Sequence, residues 1–317
     1  MSGTLYLSGW RYRAIILSVV CSAFGYLGFS LWGGWQAVWS AVGKVGVIGI
    51  AIALLMSSLN YAMRFLRWQG YLKALEHPVP WQPSLKIYLA GFALTTTPGK
   101  AGEAVRGLLL KTWGVPYSKS FAAFFSERLS DLFGVVLLTL FGLTQYPDAR
   151  PMITVGVVLV VTGFVVLLQR RSIERLAWLI PQRLGKVRDM VEHLLHVLLE
   201  SQCCNRFSML LGATLLSVLA WSSEALAFHW ILQWMGADVP LAFAVFVYSL
   251  SMLAGAVSFM PGGLGGTEAV MVALLVWKGM PSADAVAATV LVRLATLWFA
   301  VGIGAVTFLK LNGGSRS

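Results

Sequence analysis

Glutamate precedes arginine by 25 residues twice in this 317-residue chain, as Glu103 and Arg128 and again as Glu268 and Arg293. Both arginines fall inside long apolar runs, where an unpaired guanidinium costs about 2.5–3.5 kcal/mol at the centre of a membrane helix. Each therefore needs a partner or a watery cavity, and two chemistries supply one. The carboxylate can lock the arginine in an internal ion pair. Alternatively, the arginine can hold an anionic group, such as a lipid phosphate, through its two-pronged fork. Both readings hold together if a substrate displaces the carboxylate.

Each glutamate stands just beyond a Pro-Gly break, in PGKAGE at 98–103 and MPGGLGGTE at 260–268. A helix restarting after Gly99, or after Gly262 and Gly263, presents free backbone N–H groups and a positive dipole end, which suit an anion. Glu103 and Glu268 could equally satisfy those ends as caps, and the glycines could serve close packing. Neither break has the Gly-Lys-Ser/Thr ending of a phosphate-binding loop. Arg106 is a further cation of the first hairpin and a further candidate to bind an anionic substrate. Glu127 and Asp131 flank Arg128 in ERLSD, where local pairing is the plain expectation, while the second unit has Val292 and Thr296 at those places. Glu224 and Asn60 are polar groups within other spans and, together with Glu127 and Asp131, are candidates for gating or proton exchange. His229 lies five residues beyond Glu224, so a shared metal is not expected. With no Ser-His-Asp set, Cys-His nucleophile or HExxH, neither catalysis nor a cofactor is expected.

These residues need a scaffold, and the composition says which kind. Of the chain, 58% is hydrophobic and 12% charged, against roughly 25% charged in soluble domains. The expected fold is therefore an all-α polytopic membrane protein. Six apolar runs are long enough to span, near 14–32, 45–63, 118–142, 152–168, 207–234 and 284–309. The run ending at Trp32 meets no small-residue cleavage site and is expected to be retained. Residues 86–110 and 241–276 are interrupted by the two breaks and read as re-entrant hairpins. Residues 171–200, split by Pro181, have the spacing of two amphipathic surface helices. The net charge of +11 follows from loop lysines and arginines rather than from nucleic-acid binding, since no basic domain stands apart from the apolar segments. Cys21, Cys203 and Cys204 have neither metal spacing nor a disulfide pattern.

Nineteen basic residues fall on one side of this arrangement, including Arg64 and Arg67 in a loop expected at 64–86, and three, Lys44, Arg150 and Lys278, on the other. Both termini are thus expected in the cytoplasm. A shift of 165 residues overlays the hairpin regions, with 12 identities in the 31 positions from Glu103 to Phe133, which marks a duplication. Ser57-Ser58 also meets Ser222-Ser223 at that shift. The chain divides into an N-terminal span and outer loop (1–44), a first unit (45–145), a connecting span and amphipathic segment (146–206), a second unit (207–310) and a tail (311–317). One hairpin is entered from the cytoplasm and the other from outside, so the units form an inverted-topology repeat. Secondary transporters use that organisation for alternating access to a midplane site.

TTTPGKAGEAVR at 95–106, ERLSDLFG at 127–134 and MPGGLGGTEA at 260–269 resemble the lysylphosphatidylglycerol synthase/flippase transmembrane family over nearly the whole chain. The resemblance implies a lipid-translocating fold of the bacterial inner membrane, with Glu103 and Arg128 matching family polar positions. It implies a lipid partner: an anionic phospholipid, an aminoacyl-lipid or a polyprenyl- or hopanoid-linked lipid. These residues hold no counterpart of the soluble aminoacyltransferase domain of fused members, so synthase activity is not expected. The competing expectation is a non-transporting scaffold that holds a lipid-modifying enzyme at the bilayer through 171–200.

Overall fold

The computed structural model describes residues 28, 34–96, 101–146, 148, 150–169, 201–204, 206–258 and 260–313, with backbone alone at 101–104 and 312–313. The expected first span before Trp32, the first hairpin tip with Gly99 and Lys100, the Glu103 side chain and the amphipathic segment 171–200 lie outside the described residues.

All regular structure among the described residues is helical. The first unit runs through α1 (Trp35–Ala74), α2 (Trp81–Phe92), α3 (Ala101–Lys111) and α4 (Tyr117–Leu143). After α5 (Arg150–Leu168) come α6 (Phe207–Trp234), α7 (Leu241–Val257), α8 (Gly266–Trp277) and α9 (Ser282–Arg293). A π turn, Leu294–Trp298, carries α9 on into α10 (Phe299–Gly313). Among the described residues, four stretches are long and apolar enough to cross a membrane: α1, α5, α6 and the run Ser282–Leu311. Helix α4 has the length too, with 27 residues, or roughly 40 Å at 1.5 Å per residue. The arms α2, α3 and α8 have 12, 11 and 12 residues and are too short to cross alone.

Helix α1 departs from expectation at both ends. It begins before the expected span and kinks at Gly46 (φ 67°), placing Lys44 in a helix rather than in a loop. It then runs on to Ala74, so Arg64 and Arg67 are helical, Arg67 buried and Arg64 partly buried, not loop residues. The helix carries them because carboxylates of α4 meet them, as described below.

One turn is used four times, and it sets the architecture. After Leu72, Leu110, Leu232 and Leu275 the chain enters the left-handed region at Glu76, Gly114, Gly236 and Gly279. The N–H groups of His77, Val115, Ala237 and Met280 then return to those four carbonyls at 3.0–3.2 Å. This is the Schellman closure. Each turn continues into a proline, Pro80, Pro116, Pro240 or Pro281, which starts the next helix. Proline suits that place because it has no N–H to leave unsatisfied. The second pair of turns is 165 residues apart, as the motif match requires, but the first pair is 160 apart. The difference is taken up by α7, with 17 residues against 12 in α2. Ser57 therefore corresponds to Ser217, and the Ser57-Ser58 match to Ser222-Ser223 is coincidental.

Packing is reciprocal between the units. Helix α1 lies along α6; α4 packs on α7 and α6, while α10 packs on α2 and α9 on α1. Exchanging the two units maps each of these contacts onto another. Glycine permits the closest ones. A Cβ on Gly142 of α4 would stand 2.4 Å from Phe246 of α7, and one on Gly304 of α10 would stand 2.2 Å from the Ala93 nitrogen. One apolar core gathers the N-terminal half of α1 with α6 to α9. A second gathers the C-terminal half of α1 with α2, α3 and α4.

Candidate functional site

The apolar periodicity of α1 brings Ser57, Asn60, Tyr61, Arg67, Trp68 and Tyr71 to its buried face. Asn60 Nδ2 donates to the Ala220 carbonyl at 2.8 Å and Ser223 Oγ to the Met56 carbonyl at 3.1 Å, clasping α1 to α6. One turn further along, arginines replace these neutral bonds. Arg67 Nη1 lies 2.7 Å from Asp131 Oδ1 and also meets Ser217 Oγ, while its Nη2 is 3.8 Å from Glu127 Oε1. Arg64 Nη2 reaches Asp131 Oδ2 at 3.4 Å, and its guanidinium covers the Trp221 ring. Trp221 Nε1 donates to Asp131 Oδ1 at 3.2 Å.

Arg106 enters from the hairpin arm α3. Its Nη1 pairs with Glu127 Oε2 at 3.1 Å, and its guanidinium lies 4.3 Å from the centre of the Tyr88 ring, with Trp68 and Phe92 alongside. A guanidinium against aromatic faces is stabilised by their quadrupoles, most strongly where water is excluded. Gly91 leaves the necessary space, since a Cβ there would stand 2.4 Å from Arg106 Nε.

The local pairing expected within ERLSD is only partly present. Arg128 Nη2 meets Asp131 Oδ2 at 3.2 Å, but Glu127 turns away to Arg106 and Arg67. Adjacent residues on a helix do not face each other, whereas residues four apart do; Glu127 and Asp131 thus share the inner face of α4. Arg128 stands at the rim, its side chain 38% exposed, against 1% for Arg67. Four guanidiniums (Arg64, Arg67, Arg106, Arg128) here face two carboxylates (Glu127, Asp131), an excess of two positive charges among the described side chains.

The second unit keeps the Glu–Arg pair in compact form. Arg293 Nε lies 2.6 Å from Glu268 Oε1 and its Nη2 donates to the Gly262 carbonyl at 2.9 Å. Glu268 Oε2 accepts the Gly265 N–H at 2.6 Å, so the same carboxylate caps α8 and pairs with α9. Gly265 adopts φ 85° to make that cap, a conformation that favours glycine. Gly262 thus turns its carbonyl toward a cation, and Gly263 packs against Gly255. This tip abuts the end of α2, where a Cβ on Gly262 would stand 3.3 Å from Thr96 Cγ2. Glu224 lies between the two clusters, accepting a 2.6 Å bond from the Tyr248 hydroxyl. An apolar groove of about 670 Å³ follows α8 from Gly265 and Glu268 past Val272 and Val276 to Trp277.

Arg64, Arg67, Ser217, Trp221 and Tyr248 are members of this network that motif matching missed. Their signal in the sequence is a polar and aromatic stripe at three- and four-residue spacing, Asn60, Arg64, Arg67 and Tyr71, continuing the apolar periodicity of α1 past the expected span.

The chain has relatives among archaeal membrane proteins. A protein of Pyrococcus horikoshii named UPF0104 membrane protein is 25% identical over 314 residues, covering 88% of this chain and 92% of its own. Two UPF0104 membrane proteins of Methanothermobacter thermautotrophicus are 25% and 26% identical over 298 residues, covering 84% and 88% of this chain and 87% and 88% of theirs. The profile of the lysylphosphatidylglycerol synthase transmembrane region matches residues 14–304. With nearly its whole length matched, this multi-pass membrane protein belongs to the lysylphosphatidylglycerol synthase transmembrane-region family.

Proposed function

We propose that this protein moves an anionic phospholipid, or a lipid-linked anionic head group, across a bacterial cytoplasmic membrane by alternating access, without altering the lipid chemically. The observation that carries this reading is the excess of arginines over carboxylates among the described side chains of the α1–α3–α4 cluster, with Arg128 half-exposed at its rim. An arginine fork suits phosphate, and a cation excess in a low-dielectric wall attracts an anion over a longer range than a paired one would. Inner arginines tied to Glu127 and Asp131 hold the shape of the site, while Arg128 makes the first contact. On the other side, Glu268 releases Arg293 when a head group competes for it. The reciprocal packing of the two units supports a rocking exchange between them, in which α1 and α6 form the common axis. The bias of basic residues supports cytoplasmic termini.

The test is translocation in vesicles reconstituted with purified protein and head-group-labelled phosphatidylglycerol, read by chemical quenching of the outer leaflet. Wild-type protein is expected to move the label, and Arg128→Ala and Arg293→Ala to abolish movement while remaining folded. Wild-type rates in both variants would sink the proposal.

A further inference from the structure

Among the described buried carboxylates, three have an arginine within salt-bridge distance: Glu127, Asp131 and Glu268. Glu224 does not. Its residue is 4% exposed, and its hydrogen-bond partner is the neutral hydroxyl of Tyr248, 2.6 Å from Oε2. An ionised carboxylate held out of water without a counter-ion is strongly disfavoured, and such a group takes up a proton instead. A carboxylic acid at this place would be an ordinary satisfied core group if nothing charged lay within reach. Here its surroundings include charge on both sides.

Helix α6 packs against α1, α4, α7 and α9, and each carries a titratable or charged group near enough to act electrostatically on Glu224. These are Arg64 and Tyr61 from α1, Asp131 from α4, Tyr248 from α7 and Arg293 from α9. The two arginines are held by other carboxylates, Arg64 by Asp131 at 3.4 Å and Arg293 by Glu268 at 2.6 Å. Tyr61, the remaining hydroxyl, is engaged elsewhere, donating to the Thr296 carbonyl at 2.5 Å within the π turn that follows Arg293. Glu224 is thus a carboxyl placed between two guanidiniums that belong to different repeat units and are both occupied.

We infer that Glu224 is the proton-carrying group of the transport cycle, so that lipid movement is coupled to the transmembrane proton gradient; this rests on the transport reading above. In the conformation described, the carboxyl keeps its proton and accepts the Tyr248 hydrogen bond. When a head group that has displaced Glu268 or Asp131 leaves again, the vacated guanidinium turns to Glu224. The Glu224 O–H bond then breaks, its proton passes to water in the opened cavity, and the carboxylate left behind pairs with that guanidinium. The next head group, entering from the other side, displaces this carboxylate, which takes up a proton from the water there. One carboxyl serves both half-cycles because it sits at the α6 crossing, within reach of both units.

Two measurements test this. In the purified protein at neutral pH, infrared difference spectra should contain a protonated-carboxyl C=O stretch that is lost in Glu224→Gln. In vesicles, translocation by the wild type should change several-fold when a pH gradient is imposed, and Glu224→Gln should lose that response. Tyr248→Phe leaves the carboxyl in place and should shift the infrared band while retaining the gradient response. A missing band, or a gradient response that survives in a folded Glu224→Gln, overturns the inference. A band with no translocation under any gradient would instead count against the transport reading.

Discussion

Arg67 of α1 and Asp131 of α4 meet at 2.7 Å in a membrane-spanning core, and Asp131 also receives Arg64, Arg128 and the Trp221 indole. One carboxylate therefore balances guanidiniums from two helices. Removing one partner of a buried pair costs about 3–5 kcal/mol, because the partner left behind remains buried and charged. Asp131→Ala should accordingly lower stability by about that amount and cut the yield of folded protein. Arg128→Ala should cost about 1 kcal/mol or less, since its exposed side chain can be solvated. Thermal unfolding of the two purified variants in one detergent checks the order. Equal losses would place Arg128 in the structural framework and remove the reason for assigning it to ligand.

At the second tip, Glu268 bonds both the α8 N-terminus and Arg293. Glu268→Gln keeps an oxygen for the Gly265 N–H but deprives Arg293 of its counter-ion, so the loss should be about 3–5 kcal/mol. Adding Arg293→Gln removes the stranded charge and should recover a large part of it. A double-mutant cycle on unfolding free energies measures the coupling. Additive losses would mean that the two side chains do not depend on each other.

Much of this was legible in the sequence because membrane helices must satisfy their own backbone, so apolar length and Pro-Gly breaks report directly on architecture. The bounds of α4 and α6, the short arms and the Glu268–Arg293 pair follow from such signals. Arg64 and Arg67 were not legible in that way. Hydropathy treats an arginine as the end of a span, and only the distant Asp131 and Glu127 make their burial possible. The 160-residue offset of the first turns was hidden for a different reason: Glu76 holds the left-handed position where its counterpart is Gly236, so the eye finds no shared glycine.

Two glycines of α10 offer a sharp contrast. A Cβ at Gly304 would stand 2.2 Å from the Ala93 nitrogen and 2.7 Å from the Phe92 carbonyl carbon, whereas nothing lies within 4 Å of one at Gly302. Gly304→Ala should push α10 off α2 and destabilise the protein by about 1–3 kcal/mol, the usual range for overpacking. Gly302→Ala should be neutral or stabilising by up to about 1 kcal/mol, from helix propensity alone. Thermal unfolding of the pair is the check. Equal responses would mean that α10 and α2 are not in close contact.

The inverted arrangement expected of the units makes a prediction about sidedness. Arg150 opens α5 after the loop that leaves α4, Lys278 follows the end of α8, and Lys44 precedes the α1 kink. These three positions should face outward if the basic residues elsewhere face the cytoplasm. Single cysteines at Lys44, Arg150 and Lys278, in a background where Cys21, Cys203 and Cys204 are replaced by serine, should react with a membrane-impermeant maleimide applied to intact cells. A cysteine at Lys111, at the end of α3, should react only after permeabilisation. Because α3 and α8 end in the same turn at matching positions, opposite labelling of Lys111 and Lys278 is the direct signature of inversion. Labelling of both from the same side would leave the duplication standing but make it parallel, and a rocking exchange about α1 and α6 would lose its basis.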